Sequence, residues 1–284
     1  THFFNPPRYL KLLEIVPTSK TSPHVVKIMT RLGEKRLGKR IVIAKDTPNF
    51  IANRIGAFAL QQMVKILETG EYQIDEIDQL TGLLIGRPKS ATFRTLDLVG
   101  LDTFVQVNKN ILDNAPNDEQ REIFKSPEFI ERLLELKWLG EKSGQGLYKK
   151  VAFGQILRLN LKELTYEPCT HIDHKSVTLA NRISSLKERL AFLIDLNNPV
   201  GTLIWKALSE TILYAANRIP EISNNVVDID NAIKWGFNWE SGPFELWDTL
   251  GPEKIAKRIE SEKKVLPNIL QIILQTPSKS FYLK

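Results

Sequence analysis

Apolar, strand-like runs open the chain, and apolar positions then recur at helical spacing over most of its length. Residues 1–4 and 9–16 are predicted to be two short strands, separated by a turn whose prolines cannot lie inside a ladder. Thr21-Ser22-Pro23 predicts the start of a helix, and residues 40–44 alternate like a third strand. Residues 1–45 are therefore predicted to be β-β-α-β, too small to close a core and typical of the end of a larger α/β domain.

From Asp46 onward the pattern is helical. Asp46-Thr47-Pro48 is a helix start signal, and residues 50–67 carry apolar side chains at helical spacing. Further helices are predicted at 74–84, 92–98, 102–115 and 127–139. Residues 151–198 are poorly patterned apart from a charged helix near 186–195, and we interpret them as a connecting arm.

The second half of the chain repeats the first loosely. When Asp78 is aligned with Asp230, two segments run in parallel, with one extra residue in the first copy. Asp97-Leu98-Val99-Gly100 then matches Asp248-Thr249-Leu250-Gly251, and a long amphipathic helix precedes each copy. The period of about 152 residues is too long for a solenoid. We therefore predict a duplicated helical unit, in which two amphipathic bundles cover each other's apolar faces.

The composition is that of a globular protein with a sizeable core, since 42% of the residues are hydrophobic and 25% are charged. The longest apolar runs fall well short of the ~20 residues of a membrane span, and no signal-peptide pattern is visible. The single cysteine, Cys169, excludes an internal disulfide and favours a reducing, cytoplasmic location. The net charge of +6 suits a phosphate-bearing substrate or a solvated surface. Nucleic-acid binding is not predicted, because the basic residues form no stripe with exposed aromatics.

Two polar residues of the first strands, His2 and Glu14, are candidates for chemistry. If the strands pair as an antiparallel hairpin, the two side chains approach each other on one face. A carboxylate that binds one imidazole nitrogen fixes the tautomer and raises the basicity of the other nitrogen. An ordinary strand-end histidine and a surface glutamate fit the same spacing, so the residues alone leave both interpretations open.

A second cluster, formed by Cys169, His171 and His174, has residue types that bind metals. It lacks a clear fourth ligand and lies in the connecting arm. No metal site is therefore predicted.

Three ordered motifs resemble those of the 3-hydroxyacyl-CoA dehydrogenase family. They are THFFNP (1–6) with Glu14 on the next strand, KDTPNFIANR (45–54) and KWLGEKSGQGLYK (137–149). Three motifs in the right order and at the right separations are far more specific than any one of them. Residues 186–251 resemble the degenerate second copy of long family members, in which an enoyl-CoA hydratase domain follows.

The resemblance implies a mainly α fold class. Residues 1–45 would be the end of a Rossmann-type, NAD-binding α/β domain, and residues 46–150 the first helical C-terminal domain. Residues 151–198 would be the connecting arm, and residues 199–284 the degenerate second copy of the helical domain.

The resemblance also implies roles for five residues. His2 would be the general base that takes the proton of the substrate 3-hydroxyl, and Glu14 would orient the imidazole and balance its charge. Asn53 would hold the substrate carbonyl or the histidine by a hydrogen bond. Asn5 matches a position near the nicotinamide, and Lys142 matches a basic residue that reaches the cofactor from the helical domain.

Two departures from the family pattern bear on the site. Asn49 stands where the family usually has glycine, a mild change because asparagine tolerates a left-handed backbone. No G-x-G-x-x-G follows a strand in the 284 residues. The binding site for NAD is therefore expected to be largely missing from this chain, which would be inactive alone.

The expected function is NAD-dependent oxidation of (S)-3-hydroxyacyl-CoA to 3-ketoacyl-CoA in fatty-acid β-oxidation, by a longer protein of which this chain would be a fragment. Two alternatives stay open. One is a non-catalytic helical module for dimerisation or domain packing, and the other is a related dehydrogenase of free 3-hydroxy acids. A homodimer through the helical domains and a following hydratase domain are further expectations.

Overall fold

In the computed structural model, which describes residues 1–170 and 175–282, the chain divides into two units. One unit, here called the discontinuous unit, is made of residues 1–56 and 208–284. The other, here called the continuous unit, is made of residues 57–207. No helix in the described parts of the chain is long and apolar enough to cross a membrane.

A three-stranded sheet opens the discontinuous unit. Strands β1 (His2–Phe3) and β2 (Leu12–Ile15) are antiparallel, and β3 (Arg40–Ile43) runs parallel to β2 on its other side. Helix α1 (Pro23–Lys35) makes the crossover, and its cap is the predicted Ser22, whose side chain accepts from the Val25 N–H group. The β-β-α-β prediction for the first 45 residues is thus confirmed.

The later elements are mostly helical. In chain order they are α2 (Ala52–Glu68), α3 (Ile74–Thr81), α4 (Phe93–Val99), α5 (Leu101–Asn114), α6 (Glu128–Glu135), β4 (Tyr148–Lys150), β5 (Ile156–Asn160), β6 (Thr165–Pro168), α7 (Lys175–Ala180), α8 (Leu186–Ile194), α9 (Pro199–Asn217), α10 (Val226–Gly236), α11 (Pro243–Leu250), α12 (Pro252–Ser261) and α13 (Asn268–Leu274). Short 3₁₀ turns lie at Leu83–Ile85, Arg121–Phe124, Glu141–Ser143 and Ala152–Gly154.

The stretch predicted to be poorly patterned, residues 151–198, contains β5 and β6, which form an antiparallel sheet with the preceding strand β4. Its central strand was missed because Arg158 interrupts an apolar run. Arg158 is only 9% exposed and pairs with Asp75 at 3.2 Å and with Glu167 at 3.0 Å. Strand β5 therefore buries a charged side chain, Arg158, at a position where the sequence pattern predicts an exposed residue. The predicted charged helix near 186–195 is confirmed as α8.

In the continuous unit, Asp78 joins α3 to the start of α4. Its carboxylate accepts from N–H groups there, including that of Phe93 at 2.6 Å, and from the Tyr148 hydroxyl at 2.9 Å. Asp97 of α4 accepts from the backbone N–H groups of Leu147 and Tyr148, at 2.9 and 2.8 Å. Burial raises the pKa of Asp78 to about 7, and the hydrogen bonds from α4 and Tyr148 oppose that rise. The two aspartates thus bind the segment around Tyr148 to α3 and α4 by hydrogen bonds.

The discontinuous unit contains the same arrangement. Asp230 of α10 accepts from the Phe244 N–H group at 2.9 Å and from the Tyr282 hydroxyl at 2.6 Å. Asp248 of α11 accepts from the backbone N–H groups of Phe281 and Tyr282, at 3.0 and 2.9 Å. Burial also raises the pKa of Asp230 to about 7. The aspartates paired by the sequence comparison therefore make equivalent contacts.

Removing either tyrosine hydroxyl is expected to destabilise its own unit. A hydrogen bond to a charged group contributes about 1.5–3 kcal/mol, so Tyr148→Phe and Tyr282→Phe should each lower the free energy of unfolding by about that amount. Urea unfolding followed by circular dichroism measures the loss. Tyr9→Phe is the control, because Tyr9 is 74% exposed. Equal stabilities of all three variants would contradict the prediction.

Candidate active site in the discontinuous unit

The strand register brings His2 and Glu14 face to face. They are direct cross-strand partners in the β1–β2 pair, and His2 Nδ1 lies 2.7 Å from Glu14 Oε2. The Glu14 side chain is fully buried, whereas that of His2 is 30% exposed. The predicted approach of the two side chains is therefore confirmed. A proton on Nδ1 is shared with the carboxylate, which leaves the lone pair of Nε2 for a ligand.

The second oxygen of Glu14 is held by the start of α2. Oε1 accepts from the backbone N–H groups of Ile51 and Ala52, at 3.1 and 3.0 Å. A helix start carries a partial positive charge and unsatisfied N–H groups, both of which stabilise a carboxylate. Each oxygen of Glu14 thus has a separate task, one toward the helix and one toward His2.

A turn with two left-handed residues leads the chain into α2. Asn49 has φ 63° and Phe50 has φ 53°. Asparagine tolerates this region, whereas a phenylalanine there is strained. Such strain is typical of functional sites, where the surrounding structure holds it. The turn places the Phe50 ring 5.5 Å from the His2 ring, and the Phe4 ring lies 5.1 Å from His2. The imidazole therefore contacts two aromatic rings.

The other predicted site residues of this unit lie near the pair. Asn53 is half-buried on the first turn of α2, directly after Ala52. Asn5 is exposed in the turn that follows β1. Within the described residues, no side-chain hydrogen bond of Asn5 or Asn53 is seen, so their roles remain predictions.

Lys142 belongs to the continuous unit. It lies in the 3₁₀ turn Glu141–Ser143, and its ammonium forms an ion pair with the Asp102 carboxylate. The hydrogen bond from Lys142 lowers the pKa of Asp102. Its predicted contact with a cofactor is untested.

The cluster of Cys169, His171 and His174 lies partly outside the described residues, because these do not include the two histidines. Cys169 is exposed, and its Sγ lies 3.5 Å from the Ile156 carbonyl oxygen. Partial burial of its thiol raises the pKa of Cys169. Among residues 1–170 and 175–282, no group of three metal-binding side chains is found.

Sequence reasoning found His2 and Glu14 but missed what holds them. The donors to Glu14 are backbone N–H groups of Ile51 and Ala52, which carry no residue signature. The ring contact from Phe50 depends on the left-handed turn. The asparagine at position 49 was the available signal, because asparagine is enriched at positive φ.

Two solved structures share the fold of this chain. The structure of 3-hydroxybutyryl-CoA dehydrogenase from Escherichia coli superposes with a TM-score of 0.63 at 18% identity, covering 98% of this chain and 67% of that chain. The dehydrogenase part of multifunctional enzyme 1 from Caenorhabditis elegans gives a TM-score of 0.52 at 20% identity, covering 94% and 56%. At these identities the likeness concerns the fold alone.

Sequence comparison identifies the family. The family model of the 3-hydroxyacyl-CoA dehydrogenase NAD-binding domain matches residues 1–47. The family model of the 3-hydroxyacyl-CoA dehydrogenase C-terminal domain matches residues 50–150. A Bacillus subtilis protein described as a 3-hydroxyacyl-CoA dehydrogenase is 46% identical over all 284 residues. A Rickettsia prowazekii protein described as a fatty acid oxidation complex trifunctional enzyme is 30% identical over 250 residues, 87% of this chain. The chain belongs to the 3-hydroxyacyl-CoA dehydrogenase family, and it spans 36% and 33% of the lengths of these two relatives.

The family's nucleotide-binding domain implies NAD as cofactor. The start of α1, the helix that connects β2 to β3, does not fit the pyrophosphate of NAD. Such a site needs free N–H groups at a glycine-rich turn after a strand. Helix α1 instead begins with Ser22-Pro23, and the Ser22 hydroxyl already accepts from the Val25 N–H group at 3.4 Å. Proline has no N–H group to offer. The start of α1 therefore offers no site for the pyrophosphate of NAD.

Proposed function

We propose that this chain supplies the acid–base pair of an NAD-dependent (S)-3-hydroxyacyl-CoA dehydrogenase. The observation that carries the proposal is the contact of His2 with Glu14, whose other oxygen is held by the start of α2. An oriented imidazole with one free ring nitrogen is the arrangement that general-base catalysis requires. Family membership supports the substrate class, a 3-hydroxyacyl thioester of CoA.

In this proposal the chain performs the proton-transfer half of the reaction. Nε2 of His2 takes the proton of the substrate 3-hydroxyl, while the Nδ1–H group stays hydrogen-bonded to the Glu14 carboxylate. The buried carboxylate then balances the positive imidazolium across the 2.7 Å contact. Asn53, on the same helix start that binds Glu14, would hold the substrate carbonyl and so fix the distance to Nε2. Asn5 and Lys142 remain proposed cofactor contacts.

We further propose that residues 199–284 are a duplicated, degenerate copy of the helical domain. The two networks centred on Asp78 and Asp230 support this, because corresponding tyrosines and aspartates make the same hydrogen bonds. The trifunctional relative from Rickettsia prowazekii supports a multidomain parent that acts in fatty-acid oxidation. A hydratase domain after this chain remains a prediction. A homodimer and a cytoplasmic location remain predictions.

The experiment that tests the function uses the protein at its full natural length. NADH formation is measured with (S)-3-hydroxybutyryl-CoA and, separately, with free 3-hydroxybutyrate. Turnover of the thioester and not of the free acid supports the proposal. Preferred turnover of the free acid would identify the related dehydrogenase instead.

A binding experiment on the 284-residue chain addresses the non-catalytic alternative. Acetoacetyl-CoA and NADH are titrated separately into the chain by calorimetry. We expect heat of binding with acetoacetyl-CoA and little with NADH, because the chain lacks the pyrophosphate turn. No binding of either, together with no turnover at full length, would favour a packing module.

A further inference from the structure

Phe237 directly follows α10 and lies outside the residues that either family model matches. Neither the sequence motifs nor the expected roles single it out. Its surroundings, however, connect it to both halves of the His2–Glu14 pair.

The first connection runs through Phe4. The Phe237 and Phe4 rings are 5.7 Å apart at 66°, and the Phe4 and His2 rings are 5.1 Å apart at 65°, both edge-to-face. Phe4 is 8% exposed, so its ring is fixed between the two. The end of α10 packs closely against Phe4 and Leu12, since a Cβ on Gly236 would lie 3.1 Å from Phe4 and 2.9 Å from Leu12. Edge-to-face pairs have defined geometry, so Phe237 limits where Phe4, and thus His2, can lie.

The second connection runs through α2. A Cβ on Gly56 would lie 2.1 Å from Cζ of Phe237, so the ring fills the space that this glycine leaves. Gly56 is about one turn after Ile51 and Ala52, whose N–H groups hold Glu14. The ring therefore supports the helix start that positions the carboxylate.

We infer that Phe237 is a positioning residue for the His2–Glu14 pair. The Phe237 ring packs against Phe4, which contacts the imidazole, and against α2, whose start binds the carboxylate. It thereby maintains the hydrogen bond between Nδ1 of His2 and Oε2 of Glu14. Pairs of this kind work within a tolerance of about 0.5 Å, which needs support from residues that do not touch the substrate. The inference rests on the proposed role of His2 as base, but it has a readout that does not depend on turnover.

That readout is the tautomer of His2 in the 284-residue chain. Nitrogen-15 spectra of the imidazole distinguish a proton fixed on Nδ1 from exchange between both ring nitrogens. The chain has 4 histidines, and His2→Gln assigns the His2 signals. We expect a fixed Nδ1 proton in the unmodified chain and averaged nitrogen signals in Phe237→Ala. Gly56→Ala should have the same effect, because its methyl group displaces the ring.

The matched control is Phe281→Ala. Phe281 is also a half-buried aromatic of the discontinuous unit, but its ring packs on Phe244 at a centroid distance of 4.9 Å. Its truncation should reduce stability and leave the His2 spectrum unchanged. If Phe237→Ala does not fold, Phe237→Leu takes its place, because it keeps most of the volume and loses the ring edges.

At full length, Phe237→Ala should lower kcat by about tenfold to a hundredfold with little change in KM, since small misplacements of a base have effects of this size. A His2 spectrum that stays fixed in folded Phe237 and Gly56 variants would overturn the inference, even if the enzyme is active. Averaged signals in these variants would support it even if the full-length protein shows no dehydrogenase activity, in which case only the proposed function fails.

Discussion

Glu14→Gln is expected to lower kcat of the full-length protein by about 10⁴ while the fold is kept, as for the equivalent change in a serine protease triad. The reason is the separate task of each Glu14 oxygen. The N–H groups of Ile51 and Ala52 both donate, so they bind the carbonyl oxygen of the glutamine. Its NH₂ group then faces His2 and donates to Nδ1. The imidazole proton must move to Nε2, which can no longer accept a proton from the substrate.

Steady-state kinetics and circular dichroism together check this expectation. Glu34→Gln is the control, because Glu34 is an exposed residue of α1 in the same unit. A Glu14→Gln protein that retains kcat within tenfold of the unmodified enzyme would refute the orienting role. In the 284-residue chain, the same variant should show the His2 proton on Nε2.

Arg54→Met is expected to cause the largest loss of stability, about 2–5 kcal/mol, because it removes the donor of two hydrogen bonds in the interior. Arg54 is fully buried, and its guanidinium donates to the Tyr214 hydroxyl at 2.7 Å and to the Pro48 carbonyl at 3.3 Å. It also pairs with Glu221 at 2.9 Å. Glu221 keeps a second partner in Arg218 at 2.8 Å, but the phenol and the carbonyl lose their donor inside the protein.

The comparison that isolates burial is Arg132→Met. Arg132 pairs with Glu135 at 2.7 Å, and both side chains are more than half exposed, at 55% and 65%. An exposed pair contributes about 0–1 kcal/mol, so this variant should unfold almost like the unmodified chain. Equal losses from both arginines in urea unfolding would show that burial of Arg54 is not the cause.

Local pattern predicted the parts of this molecule whose contacts are close in sequence. The β-β-α-β start follows from the strand-like apolar runs of residues 1–16, from the Ser22-Pro23 signal and from the alternation of residues 40–44. The approach of His2 to Glu14 follows from a hairpin, because cross-strand partners share a face. Local pattern does not fix where a helix ends. The predicted helix over 127–139 ends at Glu135, since Lys137 adopts φ 58° and stops it.

Contacts between distant residues could not be predicted in the same way. Phe237 packs against Phe4, more than two hundred positions away, and in the sequence it is one of 13 phenylalanines. Arg54 looks like a surface residue of an amphipathic helix until Tyr214 and Glu221 are placed beside it. Only the folded chain reveals which partner makes such a residue tolerable in the interior.

The discontinuous unit also constrains the order in which the protein can form as it is synthesised. Residues 57–207 are complete before any of residues 208–284 leave the ribosome, so the continuous unit can fold first. Strand β3 and the start of α2 must wait for partners made much later, such as the Ile222 carbonyl that accepts from the Lys45 N–H group at 3.3 Å. The His2–Glu14 pair is therefore translated before residues 57–207, whereas the supports that residues 208–284 provide are translated after them.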